Sequence, residues 1–207
     1  MQLIEIVKVI EMKQSNDLQR RVIKEALDIF NSSFDHNIRD LKRMFPDDHV
    51  NQDGQKFWSG PKRCPQPVVF DVTDRTCLEF VWTCANLILT SLSEQTMDIE
   101  AVGNIAREMP VVQYVPKTIH VETPEEEKAR EAEGRPPPRQ NENLKDDEPI
   151  ISSHLQSLSE STQGLTTDCL NAAEFEKDDD SNFHIDFINS CSNLRARNYK
   201  ITESDRN

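Results

Sequence analysis

Residues 17–45, DLQRRVIKEALDIFNSSFDHNIRDLKRMF, decide what kind of domain this chain can form. Apolar residues recur there every three or four positions, which predicts one long helix with a single apolar face. Pro46 ends the helix, because the residue before a proline disfavours helical geometry. The apolar face consists of Leu18, Val22, Ala26, Phe30, Phe34, Ile38, Leu41 and Phe45. The pattern therefore predicts a mainly α-helical domain.

Two further helices are predicted downstream, at 75–91 and within 97–108. The first has its own apolar face, and Thr76 with Glu79 matches a capping box at its start. Between the helices, residues 46–74 are rich in Pro and Gly but carry large apolar side chains that need burial. We expect a structured loop there, with Trp58 anchoring it on the helices. Residues 1–12 are a crowded apolar run, readable as a short helix or a strand, with helix favoured.

After residue 121 the composition changes to charged, Ser-rich and Pro-rich sequence with few aromatic residues. Such sequence buries too little apolar surface to offset its ordering entropy, which predicts a mostly disordered bridge. A last helix is predicted in 175–207, with Phe183, Phe187, Cys191 and Leu194 on one face. Oxygen acceptors at its start, Asp178, Asp179, Asp180 and Ser181, suit helix capping. We therefore divide the chain into 1–121, 122–174 and 175–207, and expect the last helix to be detached or loosely docked.

Charge and cysteine content restrict the class of protein. The 207 residues carry a formal net charge of -13, which argues against nucleic acid as a partner, because phosphate backbones favour clustered Lys and Arg. The sequence contains no stretch of about 18 uncharged apolar residues, so no membrane span is predicted. The five cysteines are odd in number and irregularly spaced, which suits reduced thiols. We expect a cytoplasmic and nuclear protein.

Two long strings carry a resemblance to a known family. They are DGQKFWSGPKRCPQPVVFDV at 53–72, followed by a helix containing ANL, and FEKDDDSNFHIDFINSCSNLRARNYKI at 175–201. In this order they resemble the ubiquitin-activating enzyme family. The first resembles its second catalytic cysteine half-domain, and the second resembles the segment that returns to the adenylation domain. The resemblance covers roughly residues 16–115 and 175–206, and implies a helical part of that half-domain.

The family adenylates the carboxyl terminus of ubiquitin with ATP and magnesium, and then captures it as a cysteine thioester. Nucleotide sites of this kind need a glycine-rich turn between a strand and a helix. The chain has five glycines, and no two of them form GxG. We therefore expect no cofactor-binding residues in this chain, with ATP and magnesium bound by the parent enzyme. The glycines are Gly54, Gly60, Gly103, Gly134 and Gly164.

The resemblance also implies that the thioester cysteine lies in a Pro-x-Cys-Thr segment, expected upstream of Met1. No cysteine here has that context. Cys64 is the strongest candidate from the residues alone, because Lys62 and Arg63 would favour its thiolate. The family has a noncatalytic cysteine at this place, so a structural role is favoured. Cys77, Cys84 and Cys191 are expected to be buried, inert thiols, and Cys169 to be exposed in the bridge. We expect no catalytic residue.

Metal binding is not predicted either. The histidines are scattered, with none at zinc-ligand spacing from a cysteine. The three adjacent aspartates lack phosphates or supporting groups, so capping is favoured over magnesium. The histidines are His36, His49, His120, His154 and His184.

The favoured hypothesis is therefore that the chain is part of a ubiquitin-activating enzyme and that this part is inactive alone. By resemblance its partners are ubiquitin and a ubiquitin-conjugating enzyme. The alternative is a noncatalytic binding module for ubiquitin, for a conjugating enzyme or for the intact activating enzyme. A helical scaffold unrelated to ubiquitin would leave the two ordered strings to coincidence.

Overall fold

A computed structural model describes residues 9, 11–51, 54–117, 128–130, 132–134, 147–161, 171, 175 and 182–206. This part of the chain is mainly helical, as predicted, and its only β-pairing is an isolated antiparallel bridge between Val50 and Lys56. The helices are α1 (Leu18–Phe30), a π-helix (Asn31–His36), α2 (Asn37–Met44), α3 (Arg75–Ser91), α4 (Ile99–Glu108), α5 (Asp147–Ser161) and α6 (His184–Asn198). Most of the apolar run at 1–12 lies outside the described residues, although Met12 is buried in the core.

The long predicted helix is present and ends before Pro46, but its middle is π-helical. The spacing of its apolar face explains why. From Leu18 to Ile38 the face repeats every four residues, more than the 3.6 residues of an α-helical turn, so it would drift around a regular helix. The wider turns of the π-helix compensate for that drift. Phe34 and Ile38 consequently remain buried, at 1% and 4% exposure.

Phenylalanine rings join three helices in the core. Phe30 and Phe34 face Phe80 of α3, with ring centroids 5.7 and 5.2 Å away and edge-to-face geometry. Phe80 in turn contacts Phe187 of α6 at 5.3 Å. Such tilted and edge-to-face pairs contribute beyond their buried area. The cluster holds α1, α3 and α6 together in one core.

Helix α6 is integral to this core, and the expectation of a detached or loosely docked helix is wrong. It packs along α3, and its Leu194 is fully buried. Phe80 and its neighbours on α3 cover its apolar face. Asp178, Asp179, Asp180 and Ser181 lie outside the described residues. The hydrogen bond seen at this helix start runs from the His184 backbone N–H to Asn182 Oδ1 at 3.0 Å.

Aspartates cap the two central helices. Asp74 accepts from the Cys77 backbone N–H at 3.0 Å, so the predicted capping box of Thr76 and Glu79 is wrong, because the helix begins just before Thr76. Asp98 accepts from the Ala101 backbone N–H at 2.7 Å and begins α4 where a helix was predicted. Both fit the preference for short oxygen-bearing side chains at this position.

Helix α5 lies within the range for which the sequence predicted mostly disorder. Ile151 and Leu155 stand one helical turn apart within it, and both remain about half exposed. Local sequence therefore accounts for this helix better than burial does. The proposed boundaries at 121/122 and 174/175 stay predictions.

Candidate functional site

The loop after α2 carries the strongest sequence candidate, and aromatic residues anchor it as predicted. The indole N–H of Trp58 donates to the carbonyl oxygens of Phe45 at 2.9 Å and Pro46 at 3.1 Å. The Phe57 ring stacks on Phe45 with centroids 4.1 Å apart. The loop, which contains Cys64, is thus fixed on the end of α2 by hydrogen bonds and by stacking.

The Cys64 thiol acts as a hydrogen-bond donor. Its Sγ lies 3.2 Å from Asp47 Oδ1, and partial burial together with this acceptor raises the pKa of Cys64. Lys62 was expected to stabilise the Cys64 thiolate, but its ammonium lies over the Phe57 ring, 4.7 Å from the ring centroid. Nucleophilic attack needs the thiolate, so this environment favours the structural role over the catalytic one.

The remaining described thiols are in the helical core. Burial raises the pKa of Cys77 to about 11 and that of Cys84 to about 12. Burial also raises the pKa of Cys191. All four described cysteines are free thiols. Cys169 lies outside the described residues.

The described histidines lie in separate surroundings. His36 packs beside the Tyr114 ring, and His49 meets the Phe45 and Phe57 rings edge-on. His184 is at the start of α6, and its buried Nδ1 has no hydrogen-bond partner among the described residues. His154 lies on α5, and His120 is outside the described residues. Within the described ranges, no group of three or more His, Cys, Asp or Glu side chains is arranged to hold a metal ion.

A groove of about 930 Å³ lies in the described part of the chain, and no sequence pattern pointed to it. One wall is a line of residues along α1, the π-helix and α2, from Lys24 to Arg39. Residues 69–72 and 109–114 form the other sides, together with Ala106 and Arg107 at the end of α4. Its apolar lining includes Val69 and Val111, which are 57% and 87% exposed. Cations and carboxylates are balanced on its rim, so charge alone favours no class of ligand.

A buried carboxylate holds one side of this groove. Asp40 Oδ1 accepts from the Tyr114 hydroxyl at 2.6 Å and from the Lys117 backbone N–H at 3.0 Å. Burial by itself would raise the pKa of Asp40, but these hydrogen bonds and the nearby Arg43 guanidinium outweigh it and keep that pKa below its usual value. Asp40 lies on the core side of α2 although it is charged, so an apolar pattern could not reveal its role. Its position is structural, fixing the extended segment 110–117 to α2.

No helix in the described part of the chain combines the length and the apolar character that a membrane crossing requires.

Comparison with known proteins assigns the chain to a family. A family model described as "Ubiquitin-activating enzyme, SCCH domain" matches residues 1–207. Ubiquitin-like modifier-activating enzyme 1 of Mus musculus is 36% identical over 184 residues, covering 86% of this chain and 16% of the mouse protein. Ubiquitin-activating enzyme E1 1 of Schizosaccharomyces pombe is 37% identical over 179 residues, covering 86% of the chain and 17% of that protein.

Homo sapiens ubiquitin-like modifier-activating enzyme 6 is 34% identical over 182 residues, with 86% of this chain and 16% of that protein covered. The chain thus spans about one sixth of the length of the relatives it matches. The whole-chain match and the two ordered strings agree, so the chain belongs to the ubiquitin-activating enzyme family, as its SCCH domain.

Proposed function

We propose that this chain serves ubiquitin activation as a noncatalytic helical half-domain, with the thioester nucleophile supplied by another part of the enzyme. The observation that carries this proposal is the state of its thiols. Cys77 and Cys84 are buried with strongly raised pKa values, and the Cys64 thiol, whose pKa is also raised, donates a hydrogen bond to Asp47. A thioester-forming cysteine would instead need surroundings that lower its pKa, whereas burial and the Asp47 carboxylate raise that of Cys64.

ATP and magnesium belong to another part of the enzyme in this proposal. The chain offers no pair of closely spaced glycines to bring backbone amides up to phosphates, so its residues do not fit a nucleotide site of the expected kind. Its partners would be ubiquitin and a ubiquitin-conjugating enzyme, which act in the cytoplasm and nucleus. The relatives' names support a ubiquitin-like modifier as the protein activated.

The alternative is a module that binds ubiquitin, a conjugating enzyme or the intact activating enzyme by itself. The groove between α1 and residues 106–114 supports this alternative, because exposed valines line a concave surface large enough for a peptide. Titrating the isotope-labelled chain with each protein would test it. Shifts confined to the groove residues support the alternative, and their absence at high concentration rejects it.

A thioester assay tests the main proposal. The purified chain is mixed with ubiquitin, ATP and magnesium, and the products are separated with and without dithiothreitol. We expect no dithiothreitol-sensitive conjugate, while an intact activating enzyme in a parallel reaction forms one. A conjugate on this chain that disappears when one cysteine is replaced by Ser would overturn the proposal.

A further inference from the structure

The anchored loop bears an unusual concentration of exposed cations. Lys56, Lys62 and Arg63 are all exposed within eight residues of a chain whose net charge is -13. Within the described ranges, no carboxylate lies at ion-pair distance from any of the three. Other cations are paired, as Lys24 is with Asp28 and Arg75 is with Glu79. The loop therefore presents three exposed cations that no described carboxylate neutralises.

The loop holds these cations on a fixed backbone. Ser59 to Lys62 forms a turn, closed by a 3.1 Å hydrogen bond from the Lys62 N–H to the Ser59 carbonyl. Gly60 has φ +61° in this turn, a conformation that favours glycine. The Phe57 N–H donates to the His49 carbonyl at 2.9 Å, and Trp58 is bonded to two further carbonyls. A surface ordered before binding loses less entropy when a partner arrives.

We propose that Lys56, Lys62 and Arg63 form a docking site for a short, carboxylate-rich segment of a partner protein. Complementary charge favours that partner, because none of these cations pairs with a carboxylate among the described residues. Of the carboxylates earlier in the same loop, Asp47 already pairs with Lys42 at 2.9 Å, and Asp48 is exposed. The segment must be short, since the remaining acidic surface repels anions and is screened only beyond about 10 Å.

The loop suits a peptide better than a nucleic acid. Phe57 has Phe45 on one face and the Lys62 ammonium on the other, so neither face is open to a base. The Trp58 N–H is already hydrogen-bonded. Single-stranded nucleic acids are bound largely by bases stacking on free aromatic faces, and Phe57 does not provide one. The inference is independent of the proposed role in ubiquitin activation, because it needs no ATP and no thioester.

Nuclear magnetic resonance titration of the full, isotope-labelled chain tests the site. The probe is a synthetic peptide of alternating Glu and Ser, compared with the same peptide carrying Gln for Glu. With the Glu peptide we expect amide shifts confined to residues 54–64, weakening as salt rises from about 25 to about 300 mM. The Lys62→Ala/Arg63→Ala variant should bind roughly fivefold more weakly.

The matched control removes an adjacent pair of cations from α1, as Arg20→Ala/Arg21→Ala, and should bind the Glu peptide within about twofold of the unaltered chain. Equal loss of binding in both variants would overturn the proposal. Shifts of equal size with the Gln peptide would do so too, as would tighter binding of a single-stranded oligonucleotide. Absence of shifts at the loop would also contradict docking of a partner. This holds equally if the shifts are absent because an acidic stretch of the same chain already covers the loop.

Discussion

Asn198, the last residue of α6, donates a side-chain hydrogen bond of 2.9 Å to the carbonyl oxygen of Phe34, 164 residues earlier in the chain. The same amide donates to the Gln66 carbonyl at 2.7 Å. Asn198 is fully buried, so a single side chain ties the terminal helix to the π-helix and to the loop that precedes α3. This contact shows how distant parts of the sequence form one folded unit.

Asn198→Ala should lower the free energy of unfolding by about 1–3 kcal/mol, because it removes the donor of the Gln66 carbonyl and leaves the Phe34 carbonyl with the Val68 N–H alone. Urea unfolding followed by circular dichroism measures the change. Asn104→Ala is the matched control, since Asn104 is an exposed helix residue, and it should change the free energy by less than about 0.5 kcal/mol. Equal effects of the two variants would show that the Asn198 contacts are absent in solution.

Leu194→Ala tests the docking of α6 through apolar packing. Leu194 has 0% exposure, so the variant should lose about 2–5 kcal/mol of unfolding free energy through lost burial and a residual cavity. Ile188 lies on the same helix but is 48% exposed, and Ile188→Ala should cost less than about 1 kcal/mol. A detached terminal helix would instead give two similar, small effects in the unfolding curves.

Apolar spacing predicted the helices well, and the main departures have physical reasons. The strict four-residue repeat from Leu18 to Ile38 indicated the π-helix. A search for apolar residues every three or four positions does not separate that repeat from the pattern of an ordinary α-helix. The docking of α6 was not predictable in this way, because an apolar face shows that a helix is buried and not what buries it. The buried Asn198 looks like a surface residue at the end of a helix when only the sequence is known.

The candidate site also has one feature that the sequence predicted and one that it did not. Anchoring of the loop by Trp58 followed from its large apolar side chains among prolines and glycines. The raised pKa of Cys64 could not be predicted in this way. The adjacent Lys62 and Arg63 suggested a thiolate, whereas the group that accepts a hydrogen bond from the thiol is Asp47, 17 residues earlier. Hydrogen bonding across a loop depends on its folded path, and adjacency in sequence misleads there.

Asp74 should matter more than Asp98, although both cap helices. Asp74 Oδ2 also pairs with Arg197 Nη1 at 2.8 Å, which joins the start of α3 to the end of α6. We expect Asp98→Ala to cost about 1 kcal/mol of unfolding free energy. Asp74→Ala should cost about 1–2 kcal/mol, since the loss of this partly exposed pair adds to the loss of the cap.

A double-mutant cycle of Asp74→Ala with Arg197→Ala should give a coupling of about 0.5–1 kcal/mol. Burial alone would raise the pKa of Asp74, yet the Cys77 N–H and the Arg197 guanidinium lower it overall. The coupling should therefore be present above about pH 4 and be lost as the pH falls through the lowered pKa. A coupling of zero at neutral pH would contradict the pairing.

Alkaline pH should destabilise the chain through its buried thiols. The folded pKa values of Cys77 and Cys84 are raised to about 11 and about 12, whereas unfolded thiols titrate near about 8.5. A raised pKa means that the stability these groups confer is present below about pH 8.5 and declines above it. By pH 10 each thiol should account for a loss of about 1–2 kcal/mol of unfolding free energy.

Unfolding free energies at pH 7 and pH 10 measure this effect. The Cys77→Ala/Cys84→Ala variant is the control, because it keeps the other alkaline-titrating groups and removes these two. Its loss between the two pH values should be smaller than that of the unaltered chain by the contribution of both thiols. Identical losses would mean that the two thiols are not shielded from water.

The rate of thiol alkylation tests most directly whether this half-domain is noncatalytic. The native and urea-unfolded chains would be treated with iodoacetamide near neutral pH, and modification at each cysteine followed by mass spectrometry. We predict that Cys77 and Cys84 react at least about a hundredfold more slowly in the native chain, and that Cys64 gains no reactivity on folding. A native cysteine that reacts faster than its unfolded counterpart would reveal an activated thiolate and contradict the account.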